Sequence, residues 1–305
     1  MLEIFLKTVP FFLTIGLGFV AAWRGWFAGE AVAHLTRFVF YFALSAMLFR
    51  FASSLSLAEI FDLPFVLAYL CGTLVIYLLV TAVALARGTG FAEAAIEAQC
   101  GVIGNVGFLA LPMLVILMGE AAAGPILMIL SVDLILFGSL VVMVISVAQG
   151  RGASPLVTVA RGLVSNPMVV SMAAGLLWGG LGLPIPGPAA EFLTLLGAAA
   201  TPCALFAIGA SLAGKSAERV SVALWLSFAK LGLHPLAIAV FAFWVFDVAP
   251  FPAAVMIATA AMPVAGNVFI IATHYGVAPA RASSAILIST VIAVGTLSLV
   301  IGAVS

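Results

Sequence analysis

The sequence predicts an all-α polytopic membrane protein of ten transmembrane helices, built as two inverted five-helix repeats in which helices 4 and 9 are broken and cross near the midplane. Three observations lead there. Residues of the AVILMFWYC set fill 65% of the 305 positions and charged residues only 7%, with a mean hydropathy of +1.35; a soluble domain cannot bury that much apolar surface, so lipid must solvate it. The apolar residues fall in runs of roughly 18 to 27, enough to cross about 30 Å of hydrocarbon at 1.5 Å per residue, and they lack the alternation of barrel strands. The same Gly-Asn pair also stands inside two of these runs, in GNVGF from Gly104 and GNVF from Gly266.

The first run, near 4–23, has no basic n-region and no small-residue cleavage site, so it reads as an uncleaved span and not a signal peptide. Runs near 31–52, 63–86, 91–118 and 124–148 complete a first repeat over 1–148. The most polar connection, 149–166, reads as cytoplasmic, short and carrying an interfacial turn of helix. Runs near 167–182, 188–213, 219–246, 251–274 and 279–303 form the second repeat, 167–305. With the N-terminus outside, Arg24, Arg37, Arg87, Arg151, Arg161, Lys215, Arg219 and Arg281 gather on one side, Lys7 and Arg50 on the other, and Lys230 stays within the membrane. That asymmetry fits ten spans with both termini extracytoplasmic. Because each half has an odd number of spans, the second enters from the opposite face, the plan of many secondary transporters.

Taken in order, the polar residues inside the spans are few. Arg37 and Arg50 bracket span 2 and read as interface anchors; Trp23 and Trp26 read as belt residues. Glu93 and Glu97 share a face at i, i+4 in span 4, Glu97 roughly 12 Å before Asn105; they line a cytoplasmic entry path or form a solvated first turn, the second being favoured. AQCGVIGNVGFLALP of span 4 and AAMPVAGNVF of span 9 each combine Gly, Asn and Pro near mid-span. Gly weakens a helix, Pro112 and Pro263 delete a backbone donor, and Asn105 and Asn267 compete for freed backbone groups. Both segments therefore read as broken helices, tolerated at bilayer depth only where protein or a water-filled cavity surrounds them. If the breaks meet, Gly104, Asn105, Gly266 and Asn267 form a substrate site for a small anion, or for an ion and substrate together, at half-helix N-termini; Gly-kinked packing helices are the alternative.

Asp133 lies about nine residues into span 5, roughly 13 Å deep, where an ionisable group marks function by default; proton coupling and a structural ion pair stand level. Lys230 in span 8, followed one turn later by His234, reads as the partner of Asp133, as a positive charge attracting substrate, or as a lysine snorkelling to the interface. His274 reads as a C-terminal cap or interface residue. Thr290, beside Ser289 in span 10, faces the crossover or a neighbouring helix, with a bond to its own backbone the favoured reading.

Cys71, Cys100 and Cys203 are scattered singly and read as small hydrophobes, with no metal or disulfide spacing. A net charge of zero with no basic run argues against nucleic acid; no Walker motif supplies ATP. No nucleophile–base pair supports an enzyme. No cofactor is expected beyond coupling to protons or sodium.

GNVGFLALP, AAMPVAGNVFIIATHYGVAPARASSAILISTVIAVGTLSLV, PCALFAIGASLAG and SNPMVVSMAAGLLWGG resemble the auxin efflux carrier family of membrane transporters, across most of the chain. The resemblance implies a scaffold of helices 1, 2, 6 and 7, a transport core of helices 3–5 and 8–10, a homodimer formed through the scaffold, and an elevator-like shift of the core in the plasma membrane. It carries the family's crossover asparagines onto Asn105 and Asn267 and its prolines onto Pro112 and Pro263. It also implies a small organic-anion (carboxylate) substrate, exported; the alternative is a sodium-coupled symporter of larger amphipathic, bile-acid-like anions. Helix 2 departs from the family pattern, with Ala43 or Leu44 in FALSAMLF where a proline is common, and the long loop of plant members has no counterpart at 149–166.

Overall fold

The computed structural model describes residues 2–27, 29–54, 62–150, 155–213 and 219–304. Among them every regular element is helical. In chain order these are α1 (Leu2–Trp23), α2 (Gly29–Ser53), α3 (Leu63–Ala86), α4 (Phe91–Val102), α5 (Val106–Met118), α6 (Glu120–Ala148) and α7 (Pro155–Ser165). Then follow α8 (Pro167–Gly180), α9 (Gly187–Leu212), α10 (Val220–Val245), α11 (Pro250–Ala260), α12 (Gly266–Tyr275) and α13 (Pro279–Val304). Helices α2, α3, α6, α9, α10 and α13 are long and apolar enough to cross a membrane by length and composition, while Thr8–Trp23 of α1, α5, α8 and α11 are shorter apolar helices. The connection differs from the sequence expectation, because α7 is an eleven-residue helix and not a single turn. Two of the cations used to orient the chain, Arg151 and Lys215, lie outside the described residues.

Local chemistry sets the helix ends. The Asp62 carboxylate accepts the N–H of Phe65 at 3.3 Å and Pro64 opens α3; the Asn166 side chain accepts the N–H of Met168 at 3.0 Å and Pro167 opens α8. Both are N-caps followed by a proline whose missing donor would be unsatisfied anyway. Gly276, at φ +67°, stops α12 in the left-handed conformation.

Two packing groups emerge. In one, α1 lies along Ala200–Leu212 of α9, and α8 along Leu44–Ser53 of α2; in the other, α3 packs on α4, and α10 packs on α3 and α13. The α1–α9 contact is backbone on backbone. A Cβ at Gly18 would strike the carbonyl of Phe206, and one at Gly209 the carbonyl of Ile15, the close approach that small residues allow between membrane helices. Leu13, Leu195, Trp244 and Val291 point outward, as lipid-facing side chains do. Trp23, Trp26, Arg37 and Arg50 are exposed, and His274 is exposed with its ring against Tyr275.

Among the described residues, five short π-helical stretches interrupt the regular turns: Val39–Ala43, Val106–Ala110, Asp133–Phe137, Ala229–Leu233 and Phe241–Val245. Such stretches commonly mark functional positions. The first ends where helix 2 lacks the family's proline, so a widened turn, and not a Pro kink, shapes that wall. The next three hold or adjoin Asn105, Asp133 and Lys230.

Candidate substrate site

Helix α4 stops at Val102, Ile103 is extended, and α5 restarts after Asn105, whose carbonyl accepts from the N–H groups of Leu109 and Ala110 at 3.1 and 3.0 Å. Helix α11 stops at Ala260, and α12 begins at Gly266 with no side-chain cap. The two interruptions are joined to each other. Gly104 and Val264 form an isolated antiparallel bridge; the N–H of Asn105 donates to the carbonyl of Pro263 at 2.9 Å, and the N–H of Ala265 to that of Ile103 at 3.0 Å. Backbone groups freed by two broken helices thus satisfy one another, as a low-dielectric interior requires.

Around this bridge, Asn105 is buried and its side chain makes no hydrogen bond among the described residues; the Asn267 side-chain oxygen is buried without a partner. Each amide stands at the N-terminal end of a half-helix, where uncapped N–H groups and the helix dipole favour an anion. Gly104 has a specific reason to be glycine: a Cβ there would lie 3.2 Å from the Nζ of Lys230. Gly107 brings α5 toward α2 and α8, since its Cβ would lie 2.9 Å from Met168 Cε and 3.6 Å from Leu44 Cδ2. Pro112 is buried in the first turn of the α-helical part of α5, and the Pro263 carbonyl is the acceptor in the bridge.

Lys230 does not snorkel. It is fully buried, because its ammonium donates to the Ala260 carbonyl at the C-terminal end of α11 and lies 3.2 Å from His234 Nδ1. His234 Nε2 is 3.0 Å from the Thr73 hydroxyl, and the Tyr69 hydroxyl donates to Asp133 Oδ1 at 2.8 Å. Asp133 and Lys230 interact electrostatically but make no ion pair within 4.0 Å, so they are not direct partners. Asp133 Oδ2 is buried without a partner among the described residues. Sequence reasoning missed Tyr69 and Thr73; the available signal was their i, i+4 spacing on one face of an otherwise apolar span.

One further expectation needs correction, and the alternatives left open for Thr290 are decided. Glu97 is neither a solvated first-turn residue nor a lining of an open path: its side chain is 1% exposed and ion-paired with both Arg87 and Arg281, while the 42%-exposed Glu93 pairs with Arg281 at 2.9 Å. The reason is that α13 places Arg281 over the first turns of α4, and two guanidinium groups compensate the buried carboxylate. Thr290 bonds its own helix through the Ile286 carbonyl at 2.7 Å, whereas its neighbour Ser289 accepts the N–H of Val264 at 3.1 Å. Ser289 is thus the hydroxyl that supports the interruption. Among the described residues no three His, Cys, Asp or Glu side chains gather as a metal site, and the three cysteines are free.

Comparison with known proteins shows the family. Over 305 residues, covering 98% of this chain and 95% of the relative, the sequence is 32% identical to a Rhizobium meliloti (strain 1021) protein named "Putative malonate transporter". A family described as membrane transport protein matches residues 3–157 and 153–301. The molecule is a multi-pass membrane transporter and not an enzyme. Matched along nearly its whole length, the chain belongs to that membrane transport protein family, the auxin efflux carrier family.

Proposed function

We propose that the chain is a secondary active or facilitative transporter that exports a small organic anion, a carboxylate, across the plasma membrane. On this reading ten spans form two inverted repeats, 1–148 and 167–305, and α4–α5 and α11–α12 are the crossing pair. The two packing groups correspond to a scaffold that pairs two copies and a core that shifts as an elevator. One observation carries the proposal. The two interruptions are hydrogen-bonded to each other, with Asn105 and Asn267 at the starts of the following half-helices and the Lys230 ammonium behind Gly104. Uncapped N–H groups, two amides and a nearby positive charge suit a carboxylate. The relative's name makes malonate the first candidate.

The test is a carboxylate panel headed by malonate, read as electrogenic currents in proteoliposomes at two pH values, with and without sodium. Binding of the carboxylate that gives currents weakens at least tenfold in Asn105→Ala, the loss expected when one hydrogen bond to a charged group is removed, with the protein still monodisperse. Unchanged affinity would sink the site. Strict sodium dependence with a preference for bile-acid-like anions would replace the proposal by the sodium-coupled alternative; the Lys230 ammonium, already bonded to the Ala260 carbonyl behind the bridge, favours the first reading.

A further inference from the structure

The buried groups behind the bridge make a directional chain. An ammonium can only donate, so Lys230 donates to His234 Nδ1, which fixes the proton of a neutral imidazole on Nε2, facing Thr73. Tyr69 stands one turn before Thr73 on α3, its ring centroid 6.0 Å from that of His234, and its hydroxyl donates to Asp133. The donors of both segments therefore point the same way, from Lys230 toward Thr73 and from Tyr69 to Asp133. No direct hydrogen bond joins Thr73 to Tyr69, so the chain is open at that step and closes when the Thr73 side chain shifts toward the Tyr69 hydroxyl. Lys230, His234, Tyr69 and Asp133 are the ionisable groups that interact here, contributed by α3, α6 and α10; α11 adds only the Ala260 carbonyl. Both ends sit in π-helical stretches, and Asp133 keeps one buried oxygen unpartnered.

The geometry points to a proton wire in which Lys230, His234, Thr73, Tyr69 and Asp133 pass one proton between the ammonium behind Gly104 and the buried carboxylate. The transfer balances. Lys230 gives a proton to His234 Nδ1, His234 Nε2 gives one to Thr73, Thr73 gives one to Tyr69, and Tyr69 gives one to Asp133. Lys230 ends as a neutral amine and Asp133 as a neutral acid. The same hydrogen bonds are then made in the reverse sense, with the histidine in its other tautomer. Each transfer removes a positive charge from beside the bridged interruptions, and each return restores it. Resting on the transporter reading for its use, the wire lets a proton set how strongly the site holds an anion.

The test needs no substrate, so its failure leaves the carboxylate reading standing, and failure of the carboxylate panel leaves the wire standing. The full chain in liposomes is given a rapid pH jump from a caged proton while infrared absorption follows the carbonyl stretch of a protonated carboxyl. The band is assigned to Asp133 by its loss in Asp133→Asn. Tyr69→Phe and Thr73→Val slow its appearance at least tenfold, and Thr73→Ser, which returns the hydroxyl, restores the wild-type rate. Wild-type rates in Tyr69→Phe and Thr73→Val would overturn the wire. So would the absence of any Asp133-dependent band across the pH range in which the protein stays folded. If Tyr69→Phe does not fold, the near-isosteric Thr73→Val and its Ser counterpart decide alone.

Discussion

Replacing Glu97 with alanine lowers stability by about 3 kcal/mol, the range measured when one partner of a buried ion pair is removed. The carboxylate is almost fully buried and paired with two guanidinium groups, Arg87 ten residues before it and Arg281 from the second half of the chain. Its loss leaves Arg281, 11% exposed, with only the half-exposed Glu93, while Arg87, 33% exposed, recovers part of its hydration. Glu97→Gln keeps the volume but not the charge and falls close to the alanine variant. Glu93→Gln, on a half-exposed carboxylate, changes stability by less than about 1 kcal/mol. Thermal unfolding in detergent, followed by circular dichroism, checks the ranking; equal melting temperatures for Glu97→Ala and wild type would remove the clamp from the account.

A methyl group at Gly18 or Gly209 has a comparable effect by a steric route. Either Cβ meets the backbone of the facing helix, which cannot rotate away as a side chain can. Separating α1 from α9 sacrifices the contact along its length, so Gly18→Ala and Gly209→Ala each cost about 3 kcal/mol, the upper end of overpacking. Gly16→Ala is the matched control. It stands two residues away on the same helix, meets nothing within 4 Å, and gains helix propensity. Size-exclusion profiles and melting temperatures that treated Gly16 and Gly18 alike would contradict a backbone contact.

The helices were legible because bilayer thickness fixes the length of an apolar run, and α3 begins and ends at the residues its sequence marks, Asp62-Leu63-Pro64 and Arg87-Gly88. The interruptions were legible because Gly, Asn and Pro act locally on the backbone. What escaped was phase and long-range pairing. In a uniformly apolar helix the moment is too weak to say which of Ser289 and Thr290 faces the interruption. Adjacent positions differ by about 100°, and the structure chose Ser289. Glu93 and Glu97 look alike in sequence, and only the approach of Arg281, from the other half of the chain, buries one and leaves the other half in water. The π-helical stretches leave no mark in sequence, yet they hold Asp133 and Lys230.

The bridge between Gly104 and Val264 has a mechanical consequence. Two backbone hydrogen bonds, at 2.9 and 3.0 Å, join the chain exactly where each helix has lost its own continuity. In a dry interior, pulling such a bond apart without a replacement costs about 4–6 kcal/mol, more than the soft bending of a whole helix. The weakest points of two separate rods are thereby spliced into one rigid truss. Any displacement that carries Asn105 must carry Asn267 with it, and flexibility has to be sought at the ends of these helices, away from the splice.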